Sequence, residues 1–429
     1  MSEFIPHVEA DQFNAEVLHA GKVVVDFYSD DCAPCAALAP KFEALQALYG
    51  NDVKFVKVFR QKNRELALSL GIRSSPTVIF YENGIRIGDV LTGGIKRSDL
   101  VRNLDELVGK VRAAEIHAKD ISFTTQCNVL IIGGGPAGLS AAIYAAQAKK
   151  KTIVVDLNFM HGGQVATTHQ VSNYPGFPKP ISGMELGDLM GAQARNAGAE
   201  FRAAVDVSEL NIFEKSVKVD GLETIQGKKL ILAMGSSPSP LGIPGEKEYK
   251  GQGISYCATC DAKYFEGKDV VVIGGGSSAL EESLFITQFA SRVRIVHRSK
   301  NLRANQLSIE QAQANPKIEF LLNRVPLSFA KTERGMQIEI EDTQSKQHQV
   351  LDTNGVFVFI GMKPNISDVP HGLELDQWGY IKTDSQMHTS VPDVFAVGDI
   401  AAKPLRQITV AVAEGTIAAV QAARELAGY

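Results

Sequence analysis

The sequence predicts an α/β protein built from one small unit followed by two larger, mutually similar ones, and three observations predict it. Apolar, strand-like runs alternate with amphipathic helical stretches along the whole chain. A β-branched strand, three glycines and an amphipathic helix, Asn128 to Gly138 (NVLIIGGGPAG), recur as Asp269 to Ala279 (DVVVIGGGSSA). At 429 residues the chain has room for about three domains, each with its own core.

In the small unit, Lys22 to Tyr28 (KVVVDFY) reads as a buried strand and Ala36 to Tyr49 as a helix with Leu38, Phe42, Leu45 and Leu48 on one face. Val53 to Phe59 is a second strand, Arg64 to Leu70 a helix and Thr77 to Tyr81 a strand. Glu82-Asn83-Gly84 is a hairpin turn into Ile85 to Leu91. From Ser98 onward Leu100, Val101, Leu104, Leu107 and Val108 recur at helical spacing. Residues 1–108 are therefore assigned to this unit and 109–124, polar with scattered apolar positions, to a linker, helical in its first half. Such a linker acts either as a flexible tether or, if Leu100, Leu104, Leu107 and Val111 continue one seam, as a stiff helix. Beyond it, Gly355 to Asn365 and Val394 to Ile400 read as strands returning to the first repeat, so the second repeat is inserted into the first.

The net charge of −4 lacks the basic excess that binding a phosphate backbone requires and argues against a nucleic-acid partner. The opening MSEFIPHVEADQ has no apolar core behind a basic end, and no run of about 18 apolar residues occurs. A soluble, cytoplasmic protein without a membrane partner is expected. Four of the five cysteines form two C-x-x-C pairs, Cys32/Cys35 and Cys257/Cys260, which in a reducing compartment signal metal or redox work. Zinc would require the two pairs to converge, yet they lie in separate units, so no metal is expected. Cys127, opening a strand, reads as a buried, inert thiol.

Gly133, Gly135 and Gly138 form G-x-G-x-x-G directly after the strand Val129 to Ile132. The first allows the tight turn, the second lets a pyrophosphate approach the backbone and the third lets helix and strand pack, so the unit is Rossmann-like. The next strand, Thr152 to Val155, ends in Asp156, about 20 positions on, where a carboxylate accepts ribose hydroxyls. The second cradle is Gly274, Gly276 and Ala279, but its following strand ends at His297, and the sequence continues Arg298-Ser299-Lys300-Asn301-Leu302-Arg303. An acid there would repel a 2′-phosphate, whereas guanidinium groups bind one, so NADPH is expected ahead of NADH.

Cys257-Ala258-Thr259-Cys260-Asp261 lies between the cradles. Two thiols so spaced on a helix start can close a small ring, the helix end lowers the pKa of one, and Asp261 is placed to relay a proton.

Together with Gly162-Gly163-Gln164, Asn173-Tyr174-Pro175-Gly176, Val397-Gly398-Asp399-Ile400 and Arg406-Gln407-Ile408, this C-A-T-C-D motif resembles low-molecular-weight, bacterial-type thioredoxin reductase from about Cys127 to the C-terminus. The resemblance implies a homodimer with an FAD domain in two segments, 125–238 and 362–429, and an inserted NADPH domain, 239–361, that rotates to present either nicotinamide or dithiol to the flavin. It implies FAD contacts from Pro136, Ala137, Gly163, Gln164, Asn173, Ala233, Gly235, Asp399, Arg406, Gln407 and Ile408, with NADPH contacts from Ser277, Ser278, His297, Arg298 and Arg303. Cys260 would lie nearest the flavin and Cys257 would exchange with the substrate disulfide. Ser299 stands where the family has a second basic residue, and Ser277-Ser278 where it has Asn-Thr; Lys300 restores some charge.

The small unit, with Asp26 on its first strand, Cys32-Ala33-Pro34-Cys35, Ser75-Pro76-Thr77 and Gly93-Gly94, is similar to thioredoxin. This implies a thioredoxin fold followed by two Rossmann-like nucleotide-binding domains. Pro76 would be a cis-proline beside the dithiol, and Asp26 would take the proton from Cys35 or simply satisfy a core neighbour. Asp31 replaces the family's Trp and disfavours the Cys32 thiolate; Ala33 replaces its Gly. The expected function is a fusion passing electrons from NADPH through FAD and Cys257/Cys260 to Cys32/Cys35 and on to client disulfide proteins, with a peroxiredoxin or a ribonucleotide reductase as candidate clients. Its rivals are the flavin component of an alkyl hydroperoxide reductase system, which carries a tandem pair of such folds, a ferredoxin-linked disulfide reductase, and a redox sensor without turnover.

Overall fold

The run of β-branched and aromatic residues from Lys22 to Tyr28 forms strand β1, and its alternation assigns the two faces of the first sheet. Val23, Val25 and Phe27 join Phe13, Val17 and Ile79 on one side, while Val24 joins Leu38 and Phe42 of helix α1 (Ala33–Tyr49) on the other. The computed structural model describes residues 5–30, 32–167, 171, 173–256, 258–333, 335–366 and 372–428. Strand β2 (Lys54–Phe59) pairs parallel with β1; β3 (Thr77–Glu82) pairs antiparallel with β1 and β4 (Ile85–Thr92) antiparallel with β3. The order is β2-β1-β3-β4, with α2 (Arg64–Ser69) and α3 (Arg97–Val108) completing the unit.

The segment expected to act as a linker departs from a flexible tether. Gly109, at φ +85°, ends α3 and redirects the chain into α4 (Lys110–His117). That break rotates the apolar face, so Val111 is exposed whereas Ala113 and Ile116 are buried, Ile116 packing in the same core cluster as Leu104 and Leu107. Arg112 holds Asp52 through two hydrogen bonds of 2.8 and 2.9 Å, His117 contacts Asp105 at 3.0 Å and Arg97 pairs with Asp120. Residues 110–120 are thus anchored to the first unit, and neither a tether nor a continuous seam through Val111 describes them.

Strand β5 (Phe123–Ile132) leads through the first glycine turn into α5 (Pro136–Gln147) and β6 (Thr152–Asp156). Helix α6 (Gly183–Ala197) follows, then β7 (Glu200–Ala203), β8 (Val207–Asn211), β9 (Ser216–Val219) and β10 (Glu223–Leu232). The sheet runs β7-β6-β5-β10-β9-β8. Strand β11 (Ser236–Pro238) leaves this unit; α7 (Glu246–Tyr249), β12 (Ile254–Ser255) and α8 (Ala258–Asp261) lead to the second repeat, β13 (Asp269–Ile273), α9 (Ser277–Ile286) and β14 (Arg292–His297). After α10 (Gln306–Ala314) and β15 (Ile318–Leu322), strands β16 (Arg324–Thr332), β17 (Gly335–Asp342) and β18 (His348–Thr353) form a three-stranded antiparallel sheet.

The return to the first repeat is later than its sequence suggests. Strand β19 (Gly355–Val358) stays in the second repeat's sheet, β12-β19-β13-β14-β15, where its four consecutive buried residues fit a strand covered on both faces. The crossing back is made by β20 (Met362–Pro364), antiparallel to β11, and by β21 (Val394–Ala396), which adds to β10. The last helix, α11 (Ile408–Ala427), packs on α5 so closely that a Cβ at Gly415 would meet the Ala137 carbonyl oxygen at 2.0 Å.

Candidate active site

Both glycine turns open into one cavity of about 1990 Å³ lying between the two repeats. A single drug-sized ligand takes roughly 300–1,000 Å³, so the space suits two extended ligands better than one. The two turns are built alike. In the first, Gly134 N–H donates to Asp156 Oδ2 at 2.9 Å, and a Cβ on Gly134 would lie 2.3 Å from that oxygen. In the second, a Cβ on Gly275 would lie 2.2 Å from His297 Nδ1. The strand-end residue, Asp156 or His297, therefore sits under the middle glycine, a requirement the G-x-G spacing does not express. Gly135 and Gly276 face open space within the cavity, where a phosphate would approach the backbone.

The electrostatics of the two ends differ. Burial pushes the Asp156 carboxyl up to about 6, against hydrogen bonds from the Asn158 and Gly134 amides. Burial lowers the pKa of His297, and Arg298 and Arg303 beside it act in the same direction. Arg298 and Arg303 are exposed at the rim and make no ion pair among the described residues, while the Arg303 backbone is fixed by its amide donating to Gly275 O at 2.7 Å. Two unpaired guanidinium groups beside a phosphate cradle fit a ligand with an additional phosphate.

The cavity is also lined by Pro136, Ala137, Gly163, Gln164, Ala233, Gly235, Asp399, Arg406, Gln407 and Ile408 beside the first turn, and by Ser277, Ser278 and Asp261 beside the second. Asn173 lies just outside it, donating to Gln407 at 3.2 Å, and Gly138 is packed beneath the turn against Gly133 O. Arg406 stacks over Tyr380 at 3.8 Å, and its Nε is buried without a hydrogen-bond partner, as is Ser236 Oγ on the cavity wall. An orphaned buried guanidinium nitrogen on the wall of a cavity that also holds a glycine turn and the Asp156 carboxylate fits a dinucleotide such as FAD.

The C-x-x-C segment between the repeats is only partly accessible to description: Cys257 and the side chain of Cys260 lie outside the described residues. Helix α8 carries Cys260 and ends at Asp261 on the cavity wall, and it packs through Ala258 against Ala279 and Leu280 of α9. In the first unit Cys32 and Cys35 form a disulfide at the start of α1, and Cys35 N–H points at Cys32 Sγ at 3.2 Å. The peptide bond before Pro76 is cis, and Ser75 O lies 3.5 Å from Cys32 Sγ. Asp26, on the α1 side of β1 by alternation with Val25 and Phe27, is buried with Oδ1 unpartnered; burial raises its pKa to about 7, with Lys57 pulling the other way. Asp31 lies outside the described residues. Cys127 is a free, buried thiol, pushed up to about 12 by burial, in keeping with an inert role.

His161, which has no motif around it, proves to be part of the first cradle's support. Its backbone turn is tied to the cradle by Gly162 N–H donating to Gly134 O at 2.8 Å, and Arg195 lies 2.6 Å from its Nε2. Burial and the Arg195 charge push its pKa down to about 4, so it is neutral at physiological pH. Cβ atoms at Gly187 and Gly191 would strike His161 O at 2.3 Å and His161 Cδ2 at 2.4 Å. The four-residue spacing of these helical glycines was the available signal for a close approach.

A disulfide on a thioredoxin fold, together with paired glycine turns and the helix that carries Cys260 on one cavity, suits a disulfide oxidoreductase linked to a pyridine nucleotide. The pyridine nucleotide-disulphide oxidoreductase family model matches residues 127–415 and the thioredoxin model residues 4–106. A thioredoxin reductase of Peptoclostridium litorale is 43% identical over 69% of this chain and 95% of its own length, and one from Bacillus subtilis 41% identical over 68% and 92%. A bifunctional thioredoxin reductase/thioredoxin of Mycobacterium leprae is 41% identical over 70% of this chain and 66% of its own. The crystal structure of Lactococcus lactis thioredoxin reductase superimposes with a TM-score of 0.61 at 34% identity, covering 71% of this chain and all of that one. The chain belongs to the pyridine nucleotide-disulphide oxidoreductase family, as a thioredoxin-reductase-type module joined to a thioredoxin domain that precedes it. Membership implies disulfide oxidoreductase chemistry with a flavin and a pyridine nucleotide.

Proposed function

We propose that the chain is an NADPH-dependent, FAD-containing thioredoxin-disulfide reductase that reduces its own type of attached thioredoxin domain, which then reduces client protein disulfides. The observation that carries this reading is the pair of like-built cradles on one cavity, ending in a carboxylate on one side and in His297, Arg298 and Arg303 on the other. FAD and NADPH, when bound, would supply hydride transfer and the passage of two electrons to a disulfide.

The roles of the chain's own residues follow from their surroundings. Asp156 would accept ribose hydroxyls, Gly135 and the start of α5 would receive the pyrophosphate, and Arg406, Gln407 and Ile408 at the start of α11 would close the flavin site with Gly163, Gln164, Asn173 and Asp399. Gly276, Ser277 and Ser278 would hold the second pyrophosphate, and Arg298 and Arg303 the 2′-phosphate. Cys260 would receive electrons at the flavin side, Asp261 would move the proton, and the Cys257 thiolate would attack the Cys32–Cys35 disulfide. Cys32 would then attack a client disulfide, and Cys35, deprotonated by Asp26, would expel the reduced client beside Pro76.

Domain limits of 1–108, 125–238, 239–361 and 362–429 suit this division, with residues 110–120 held on the first unit. Among the described residues no helix is long and apolar enough to cross a membrane; a cytoplasmic location belongs to the proposal. So does a homodimer, in which exposed Tyr144, Met184, Leu189 and Ile417 on α5, α6 and α11 would be covered by a second copy. The relay is tested with Cys260→Ser combined with Cys35→Ser: a Cys257–Cys32 mixed disulfide should accumulate and be found by peptide mapping, and a Cys260–Cys32 link in the reciprocal Cys257→Ser protein, without the first, would reverse the order.

A further inference from the structure

The thioredoxin domain rests on the flavin-side domain through a defined set of polar contacts. Lys41, halfway along α1, is nine-tenths buried. Its ammonium donates to Ile95 O of its own domain at 3.3 Å and to two carbonyls of the flavin-side domain, Ala203 O at 3.0 Å and Ala204 O at 2.5 Å. Beside it Lys96 pairs with Asp206 at 2.8 Å, and Ser98 donates to the same carboxylate. Ala204 N–H in turn donates to Asn158 O at 3.1 Å, which fixes the loop that follows β6. The next residue, Phe159, lies so close to Gly94 that a Cβ there would be 2.3 Å from its ring. Three elements of the flavin-side domain thus form one continuous receiving surface.

The position of Gly94 gives this contact a consequence. Gly93 N–H donates to Pro76 O at 3.3 Å, and the carbonyl before Pro76 is 3.5 Å from Cys32 Sγ. Phe159 therefore packs on Gly94, half-buried in the loop bordering the thioredoxin dithiol, on the side from which a client strand would approach. The contact chemistry is directional: a lysine into two backbone carbonyls, a lysine and a hydroxyl into one carboxylate, and an aromatic ring onto a glycine. We propose that the surface formed by Phe159, the Ala203 and Ala204 carbonyls and Asp206 is a docking site for the chain's own thioredoxin domain, and that docking there covers the client-binding rim, so that clients are reduced only after release. The role of that rim rests on the function proposed above.

A client that binds only the released form has its apparent affinity reduced by the released fraction. In the FAD-loaded, full-length protein, Asp206→Lys places an ammonium against Lys96 and Lys41. Hydrogen exchange in peptides spanning 93–98 and 157–160 should then rise about tenfold, and kcat/KM for insulin disulfides about three- to tenfold. NADPH oxidation by a small quinone, which reads the flavin alone, should stay unchanged. Lys41→Met should act in the same direction, and Lys96→Asp combined with Asp206→Lys should bring exchange and insulin reduction back toward the native values. Unchanged exchange in Asp206→Lys and Lys41→Met, or raised exchange with insulin reduction level or lower, would overturn the proposal. Exchange requires no turnover, so a native protein inactive with quinone and insulin that still shows the exchange response would count against the proposed function and leave the docking site standing.

Discussion

Asp26 offers a stability test whose size can be worked from the structure. The side chain is 3% exposed and Oδ1 has no hydrogen-bond partner, so desolvation of the carboxylate outweighs the attraction of Lys57 and the pKa rises from 3.8 to about 7. A difference of about three units at roughly 1.4 kcal/mol each is about 4 kcal/mol. The sign follows from proton counting. Between pH 4 and 7 the native domain holds a proton on Asp26 that the unfolded chain has lost, so stability is full below about pH 4 and declines as the pH rises through about 7. Asp26→Asn removes this slope and keeps the shape of the neutral acid. Urea titrations from pH 4 to 9, followed by hydrogen exchange of the peptide spanning 22–28, should show the variant level with the native protein near pH 4 and ahead by on the order of 4 kcal/mol near pH 8.5. Parallel profiles for the two proteins across that range would mean that burial of the charged form costs nothing at this site, contrary to the raised pKa.

Further outcomes follow from the cradles and the anchored segment. Arg298→Ala should lower kcat/KM for NADPH by roughly ten- to a hundredfold, the loss of a charge-assisted contact of about 1.5–3 kcal/mol, and leave NADH nearly unchanged; steady-state kinetics with both nucleotides decide it. Gly134→Ala should reduce the flavin retained per chain, seen in the visible absorbance of the purified protein, whereas Gly275→Ala should spare the flavin and weaken NADPH, because each methyl meets a different strand-end side chain. Ile116→Ala should destabilise the thioredoxin domain by about 2–4 kcal/mol in the same exchange assay, as a buried core position does; a value near zero would return residues 110–120 to the role of a tether.

The parts of the fold that were legible in the sequence are those where one local rule decides the outcome. The β-branched runs at Lys22 to Tyr28 and Asp269 to Ile273, and the glycine turns after the repeated strands, carry their own reasons for being strand and cradle. What escaped depends on tertiary context. Residues 109–124 look polar because only Ala113 and Ile116 face the core, and the break at Gly109 shifts that face away from the seam running through Leu100, Leu104 and Leu107. Gly355 to Val358 could pair with either repeat by composition, and only the assembled sheet chooses β12 and β13. Gly134 and Gly275 look interchangeable with any residue in G-x-G until Asp156 and His297 come to lie beneath them. Lys41 has the pattern of a solvated helix lysine, because its acceptors are backbone carbonyls far along the chain, Ile95 O in its own domain and two more than 160 positions away.

Counting electrons decides whether one chain holds a flavin and two dithiols in series. Anaerobic titration of the FAD-loaded protein with NADPH, with thiols assayed by alkylation and mass spectrometry, should show uptake of about six electrons per chain, two each for the flavin and the two cysteine pairs. Cys32/Cys35 and Cys257/Cys260 should both be alkylated at the end point, and NADH should reach it far more slowly. Uptake that stops at about two or four electrons with Cys32/Cys35 still oxidised would mean that the thioredoxin dithiol is not in series with the flavin.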